Sequence, residues 1–237
     1  MSYEVLVLIK QYVLNIKEFK EDMLFMRFRE LISEERASKI KNIYHEKDRL
    51  RSLYAEILLR YGLQKEGITK DISFRYNQNG KPELKYQKDL HFNISHSGNW
   101  IVCVISSGSV GVDVEQINNS SGMDIAKRFF TPYEYKALLD CPQEIQAESF
   151  CKLWVLKESY VKALGTGIDK SFASYGFEFK GQEVQMHTEE NEEYKHRGYY
   201  FYVYPIEPGY RAAICSKEHY AGKYYVVTMD NLKTALL

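Results

Sequence analysis

Phe92-Asn-Ile-Ser-His-Ser-Gly98-Asn-Trp100-Ile-Val-Cys-Val-Ile-Ser106-Ser-Gly-Ser-Val110-Gly-Val-Asp113-Val-Glu115 decides the fold of this chain. Its apolar runs are short, rich in β-branched residues and broken by Ser-Gly turns, which reads as three successive strands. Along the third, period two turns Val110, Val112 and Val114 to one side and Asp113 and Glu115 to the other. At a rise of roughly 3.3 Å per residue the two carboxylates lie about 7 Å apart. Both reach one cation, and hard oxygen ligands of this kind suit magnesium. The same pattern also fits an acidic outer face on an edge strand.

Outward from this segment the chain repeats one order of elements at an offset of about one hundred residues. Ser33-Glu-Glu opens a helical stretch that runs through Asp48 to RSLYAEILLRYGL and ends near Gly62. Thr131-Pro-Tyr-Glu134 opens another that leads to FCKLWVLKESYVKALG and ends at Gly165. Thr131, Pro132 and Glu134 form a capping box, since hydroxyl and carboxylate satisfy the helix's orphan amides reciprocally. Each helical block precedes an alternating run, ISFRY in one half and YGFEF in the other, followed by the turns NQNGKP and KGQ. Each half then carries a strand pair: HFNIS with WIVCVIS, and YYFYVYPI with RAAIC across a Glu-Pro-Gly turn. The expectation is an α+β fold of two similar subdomains related by pseudo-twofold symmetry. They would span residues 1–108 and 109–237, with a ligand cleft between them.

In the second helix, 100° per residue gathers Leu153, Leu156, Tyr160, Ala163 and Leu164 into one arc that must meet the core. Glu158 and Lys162 point the opposite way. They form either a surface ion pair of about 0.3 kcal/mol or, with Asp113 and Glu115, a cluster holding a metal beside a phosphate. Ser95-His96-Ser97-Gly98 sits at a strand corner, where side chains and amides can converge on an anion. Asn79-Gly80-Lys81-Pro82 reads as an ordinary turn, and Arg36, Lys39 and Lys41 as a solvated helical face.

Lys plus Arg equals Asp plus Glu, 32 each, so nothing calls for a general nucleic-acid or membrane-surface binder. The four cysteines, Cys103, Cys141, Cys151 and Cys215, are far apart, against a zinc site or disulfide framework. The apolar run Val5 to Ile9 is too short for a signal-peptide core or a membrane span, and a cytoplasmic protein is expected. There is no P-loop and no kinase catalytic loop.

Together these segments resemble the Sfp-type phosphopantetheinyl transferases. Val110-Gly-Val-Asp-Val-Glu115 matches the family's (I/V)-G-(I/V)-D-x-E strand, and Trp154-Val-Leu-Lys-Glu-Ser-Tyr-Val-Lys162 its W-x-x-K-E-(S/A)-x-x-K helix. The likeness extends through Ile32-Ser33, Tyr44-His-Glu-Lys-Asp48, Gly80-Lys-Pro82 and Phe92 to Gly98. It implies transfer of the phosphopantetheine arm of coenzyme A to a serine of an apo acyl, peptidyl or aryl carrier protein, with release of adenosine 3',5'-bisphosphate. It implies Mg2+ on Asp113, Glu115 and Glu158, with Lys162 on the same phosphates and Glu158 as candidate base. Ser95 and His96 would take the 3'-phosphate region, with charge from Arg36, Lys39 and Lys81 and a hydroxyl from Ser52. Many relatives have lysine and threonine where Arg36 and Ser52 stand. An acidic carrier would dock near Lys127-Arg-Phe-Phe130, unless both phenylalanines staple the following helix. Two halves already make the cleft, so a monomer is expected.

Overall fold

The computed structural model describes residues 9–70, 72–118, 122–167, 170–181, 183–188, 198–220 and 222–237. The first half opens with β1 (Lys10–Asn15), then α1 (Met23–Arg29), α2 (Glu34–Lys41) and α3 (Glu46–Lys65). Asp22 and Ser33 cap α1 and α2 by accepting amide hydrogens that a helix start leaves unpaired. A small hairpin of β2 (Phe74–Tyr76) and β3 (Pro82–Leu84) leads to β4 (His91–Ser97) and β5 (Trp100–Ser106), which pair antiparallel as their alternation predicts. Helix α3 does not stop at Gly62 but runs on to Lys65. A Cβ at Gly62 would stand 2.8 Å from Ile105 and 2.9 Å from Tyr12, so this glycine serves close packing on the sheet rather than termination.

The second half begins with β6 (Val110–Gln116), followed by α4 (Met123–Phe129), α5 (Pro132–Asp140) and α6 (Gln143–Leu164). The Thr131–Glu134 capping box is present, and Gly165 ends α6 with φ 71°, the left-handed turn that favours glycine. A hairpin of β7 (Tyr175–Lys180) and β8 (Glu183–Thr188) follows, then the antiparallel pair β9 (Tyr200–Tyr204) and β10 (Tyr210–Ser216). Strand β6 pairs antiparallel with β10, not with the β4–β5 hairpin that precedes it.

Four layers result. α3 covers a sheet ordered β11-β1-β5-β4, where β11 (Tyr224–Val227) runs parallel to β1; α6 covers a second sheet ordered β6-β10-β9. Side-chain alternation distributes the core: Tyr12, Leu14, Ile101 and Ile105 face α3, while Val13, Val102 and Val104 meet Val110, Val112, Val114 and Ile214 between the sheets. Strands buried on both faces carry near-continuous apolar runs, as WIVCVIS does. The tail departs from a division at residue 108. Strand β11 and α7 (Met229–Leu236) return to the first half, where Gln64 Nε2 donates to Ala235 O at 2.8 Å. Among the described residues no helix is long and apolar enough to cross a membrane.

Gly111 sets the distance between β6 and α6. A Cβ there would lie 2.0 Å from the carbonyl oxygen of Ser159 and 2.4 Å from the amide nitrogen of Ala163. Both are helix backbone, so no flexible side chain can give way. Gly111→Ala is expected to cost about 3 kcal/mol and lower the midpoint of thermal unfolding by roughly 10 °C. An unchanged midpoint by calorimetry would contradict this close packing.

Candidate active site

Strand β6 brings Asp113 and Glu115 to the face turned toward α6, while its valines fill the layer between the sheets. Asp113 is only 2% exposed, so it is no part of a solvated edge. Its Oδ1 accepts from Ser95 Oγ at 2.7 Å and from Lys162 Nζ at 2.5 Å, and Lys162 Nζ also lies 3.1 Å from Ser95 Oγ. Its Oδ2 is buried with no hydrogen-bond partner. Such an orphaned carboxylate oxygen carries a desolvation cost that a cation would remove.

Helix α6 supplies the lysine because it is buried almost all round. Cys151, Leu153, Val155, Leu156, Tyr160, Val161 and Ala163 are all buried, and the side opposite the expected apolar arc faces β6 rather than water. Glu158 and Lys162 are accordingly half-buried and do not make the surface ion pair their spacing allows; Lys162 bonds Asp113 instead. Leu164, expected in the core, is 37% exposed at the helix end.

Charge accumulates at this point. Burial first, then Asp113, pushes the Glu158 carboxyl up to about 6. Burial and Asp113 likewise push Glu115 up to about 7, although Ser97 and Lys162 pull the other way. Burial opposes charge on Lys162, but Asp113, Glu158 and Glu115 outweigh it and hold the ammonium above its ordinary value. Among the described residues no three acidic, histidine or cysteine groups close on a single point. Lys162 stands against Asp113 where a shared cation would have to come, so the donor set fits a hard metal only with the ammonium moved aside. The orphaned Asp113 Oδ2 favours that exchange.

A pH dependence follows from these shifts. Both carboxyls ordinarily titrate near 4.5, and the folded protein holds their protons more tightly than the unfolded chain does. The metal-free protein should therefore lose stability as pH rises from about 4.5 toward about 7. A cation bound here would take the ionised carboxylates, so its binding would release protons near neutrality and tighten as pH rises. Magnesium titration calorimetry in buffers of different ionisation enthalpy reads this release. Binding without proton release, or weaker at pH 8 than at pH 6, would contradict it.

The seam between the two sheets at this site is built from side chains. Alternate residues of β4 face β6: Asn93 Oδ1 accepts from the Val112 amide at 2.9 Å, Ser95 Oγ from Val114 at 3.4 Å, and Ser97 Oγ from Gln116 at 3.1 Å. Ser95 and His96 are expected at an anion-binding corner. Ser95 is instead buried on Asp113, whereas His96 is exposed. Crowding by protein depresses the His96 imidazolium, and the positive charges of Arg51, Lys162 and Arg36 act in the same direction. Arg51, which sequence reasoning missed, donates to the Gly98 carbonyl at 2.8 Å and pairs with Asp48.

The remaining expected residues lie farther from the acidic centre. Arg36 pairs at 3.6 Å with the buried Glu56, which also takes Arg60 and the amide and hydroxyl of Ser33. Lys39 pairs with Glu35 at 2.6 Å on the exposed face of α2. Ser52 is buried within α3. Lys81 is not the free turn lysine expected: its Nζ donates to the carbonyls of Lys162 at 2.5 Å, Ala163 at 3.1 Å and Val110 at 3.3 Å. Burial pulls its ammonium down to about 8. With Asn77 and Asn79, which both donate to Gly165 O, Lys81 caps the end of α6 and ties it to the β2–β3 hairpin.

Lys157, inside the helix motif, is fully buried. It pairs with the buried cap residue Glu134 at 3.1 Å, donates to Phe172 O and Tyr175 O, and lies over the rings of Phe130, Phe172 and Tyr175. Phe130 is buried against Phe150, and Phe129 packs on Phe172, so the expected docking segment contributes its phenylalanines to the core. Lys127 and Arg128 remain exposed.

The buried Asp113 and half-buried Glu115 of β6 face a glutamate and a lysine of α6, which makes an acidic centre in a mixed α and β fold. Residues 20–108 match the family model described as 4'-phosphopantetheinyl transferase, N-terminal, and residues 109–215 match that of the 4'-phosphopantetheinyl transferase superfamily. The 4'-phosphopantetheinyl transferase Sfp of Bacillus subtilis (strain 168) is 36% identical over 196 residues, 80% of this chain and 84% of its own length. The 4'-phosphopantetheinyl transferase gsp of Aneurinibacillus migulanus is 37% identical over 187 residues, 78% of this chain and 76% of its own. The chain belongs to the 4'-phosphopantetheinyl transferase superfamily.

Proposed function

We propose that this transferase moves the 4'-phosphopantetheine arm of coenzyme A to a serine of an apo acyl, peptidyl or aryl carrier protein, releasing adenosine 3',5'-bisphosphate. The reaction would lie at the seam of two pseudo-twofold-related subdomains, in a cytoplasmic monomer. The observation that carries it is the convergence of Asp113 and Glu115 from β6, Lys162 from α6 and Ser95 from β4. Asp113, Glu115 and Glu158 would hold Mg2+, which when bound supplies positive charge to the pyrophosphate oxygens.

The chain's own groups account for the remaining steps. The carrier serine Oγ forms a bond to the β-phosphorus while the bond from that phosphorus to the bridging oxygen breaks. The electron pair leaves with the bisphosphate. Glu158, on the face of α6 turned to β6, is the candidate to accept the serine proton. Lys162, held charged by three carboxylates, neutralises developing charge on phosphate oxygens. His96 with Arg51 and Arg36 forms a basic neighbourhood suited to the 3'-phosphate, to which Lys39 would add charge. Ser52 and Lys81 would serve that end from the scaffold, Lys81 by fixing the end of α6.

Incubating the protein with coenzyme A, magnesium and apo carrier proteins from fatty-acid, polyketide and peptide synthesis, then weighing each carrier, tests this function. One phosphopantetheine added to a serine is the expected result. No mass gain on any carrier would overturn it.

A further inference from the structure

We propose that Ser97, which no motif above assigns to the reaction, is a positioning residue that aims the Glu115 carboxylate into the acidic centre. Its hydroxyl does two things at once. It donates to Glu115 Oε2 at 2.8 Å and accepts from the backbone amide of Gln116 at 3.1 Å. One group thereby fixes both the strand and the side chain that the strand carries. Only a group that donates and accepts from a single atom fits this position, which is the property of a hydroxyl.

Ser97 is itself held rigidly. It is the last residue of β4 and lies opposite Trp100 across the hairpin. Gly98 follows with φ 55°, and a Cβ there would stand 2.1 Å from Tyr210 Oη and 2.9 Å from Gln116 Oε1. The turn is thus pressed against β10 and the end of β6. Arg51 Nη1 grips the Gly98 carbonyl, and Asn99 N donates to Tyr210 Oη at 3.4 Å. A hydroxyl anchored this firmly transmits its direction to the group it bonds. Ser95 does the same for Asp113 one pleat earlier, so β4 presents a pair of hydroxyls in register with the pair of carboxylates on β6.

The inference rests on the proposed cation role of Glu115. Groups that orient a metal-bound carboxylate typically change metal affinity by about 10–100-fold when removed. Magnesium alone, without coenzyme A or carrier, is titrated by calorimetry into the wild type, Ser97→Ala and Ser97→Thr, with thermal unfolding confirming that each variant is folded. The alanine variant is expected to bind roughly 10–100-fold more weakly, and the threonine variant, which keeps the hydroxyl, within about threefold of wild type. Equal affinity in Ser97→Ala, or a loss in Ser97→Thr as large as in Ser97→Ala, would overturn the proposal while leaving the cation site standing. If the wild type itself takes no magnesium, the cation reading fails. Crystal structures of the metal-free proteins then decide the positioning claim: a Glu115 carboxylate displaced in Ser97→Ala and restored in Ser97→Thr supports it, and an unmoved one overturns it.

Discussion

Asp113→Asn is expected to lower the rate of phosphopantetheine transfer by on the order of 10³-fold. The substitution is close to isosteric, so it tests charge rather than shape. Asp113 is the group on which the centre converges: Ser95 and Lys162 both bond its Oδ1, and its Oδ2 is buried without a partner. An asparagine removes the charge that a cation would need and places an amide donor beside the Lys162 ammonium. Coenzyme A affinity, which the proposed function assigns to the basic groups outside the acidic centre, should fall far less than turnover. Steady-state transfer to an apo carrier, with thermal unfolding as the control for folding, checks this. A folded Asp113→Asn protein with wild-type turnover would remove Asp113 from the chemistry.

Lys157→Met should be strongly destabilising. The ammonium it removes is fully buried, paired with Glu134 and bonded to two carbonyls. Taking away one partner leaves Glu134 charged in the interior, at a cost of about 4 kcal/mol, or roughly 8–16 °C in the unfolding midpoint. Glu134 has other duties that persist, since it accepts from Thr131 N and Phe177 N at 2.9 Å each. The double variant Lys157→Met with Glu134→Gln, which keeps an acceptor and removes the stranded charge, should recover part of the loss. If the double variant is less stable than the sum of the single losses, isolated buried charge is not the origin of the effect.

Local chemistry made much of this molecule legible beforehand. The capping box at Thr131, the left-handed Gly165 and both strand pairs depend on neighbours within a few residues, and they stand where the sequence puts them. So does the division of faces on β6, because side-chain alternation is a property of the strand itself. What the sequence hid depends on distant partners. Lys10–Asn15 lies inside the first sheet, paired on one side with β5 and on the other with a strand more than two hundred residues away. Nothing local announces that pairing.

The helix α6 illustrates the same limit at the site. Periodicity separated Glu158 and Lys162 from an apolar arc, and from that alone the opposite side reads as solvent. The fold instead lays a glycine-thinned strand against it, so that side becomes the interior of the site. Lys81 misled for a related reason: a lysine after Asn-Gly looks like surface, yet three carbonyls at the end of α6 claim it. The roles left unread, those of Arg51, Ser97 and Gly111, act through hydrogen bonds or contact distances between elements. The alternating polar side chains of Asn93, Ser95 and Ser97 were the one signal available, and their meaning required a second strand's amides beside them.

The most direct test of the acidic centre is a crystal soaked with Mn2+ and coenzyme A, examined by anomalous scattering. The account predicts one strong peak within coordination distance of Asp113, Glu115 and Glu158, with Lys162 withdrawn from Asp113. A peak elsewhere, with Lys162 still bonded to Asp113, would contradict it.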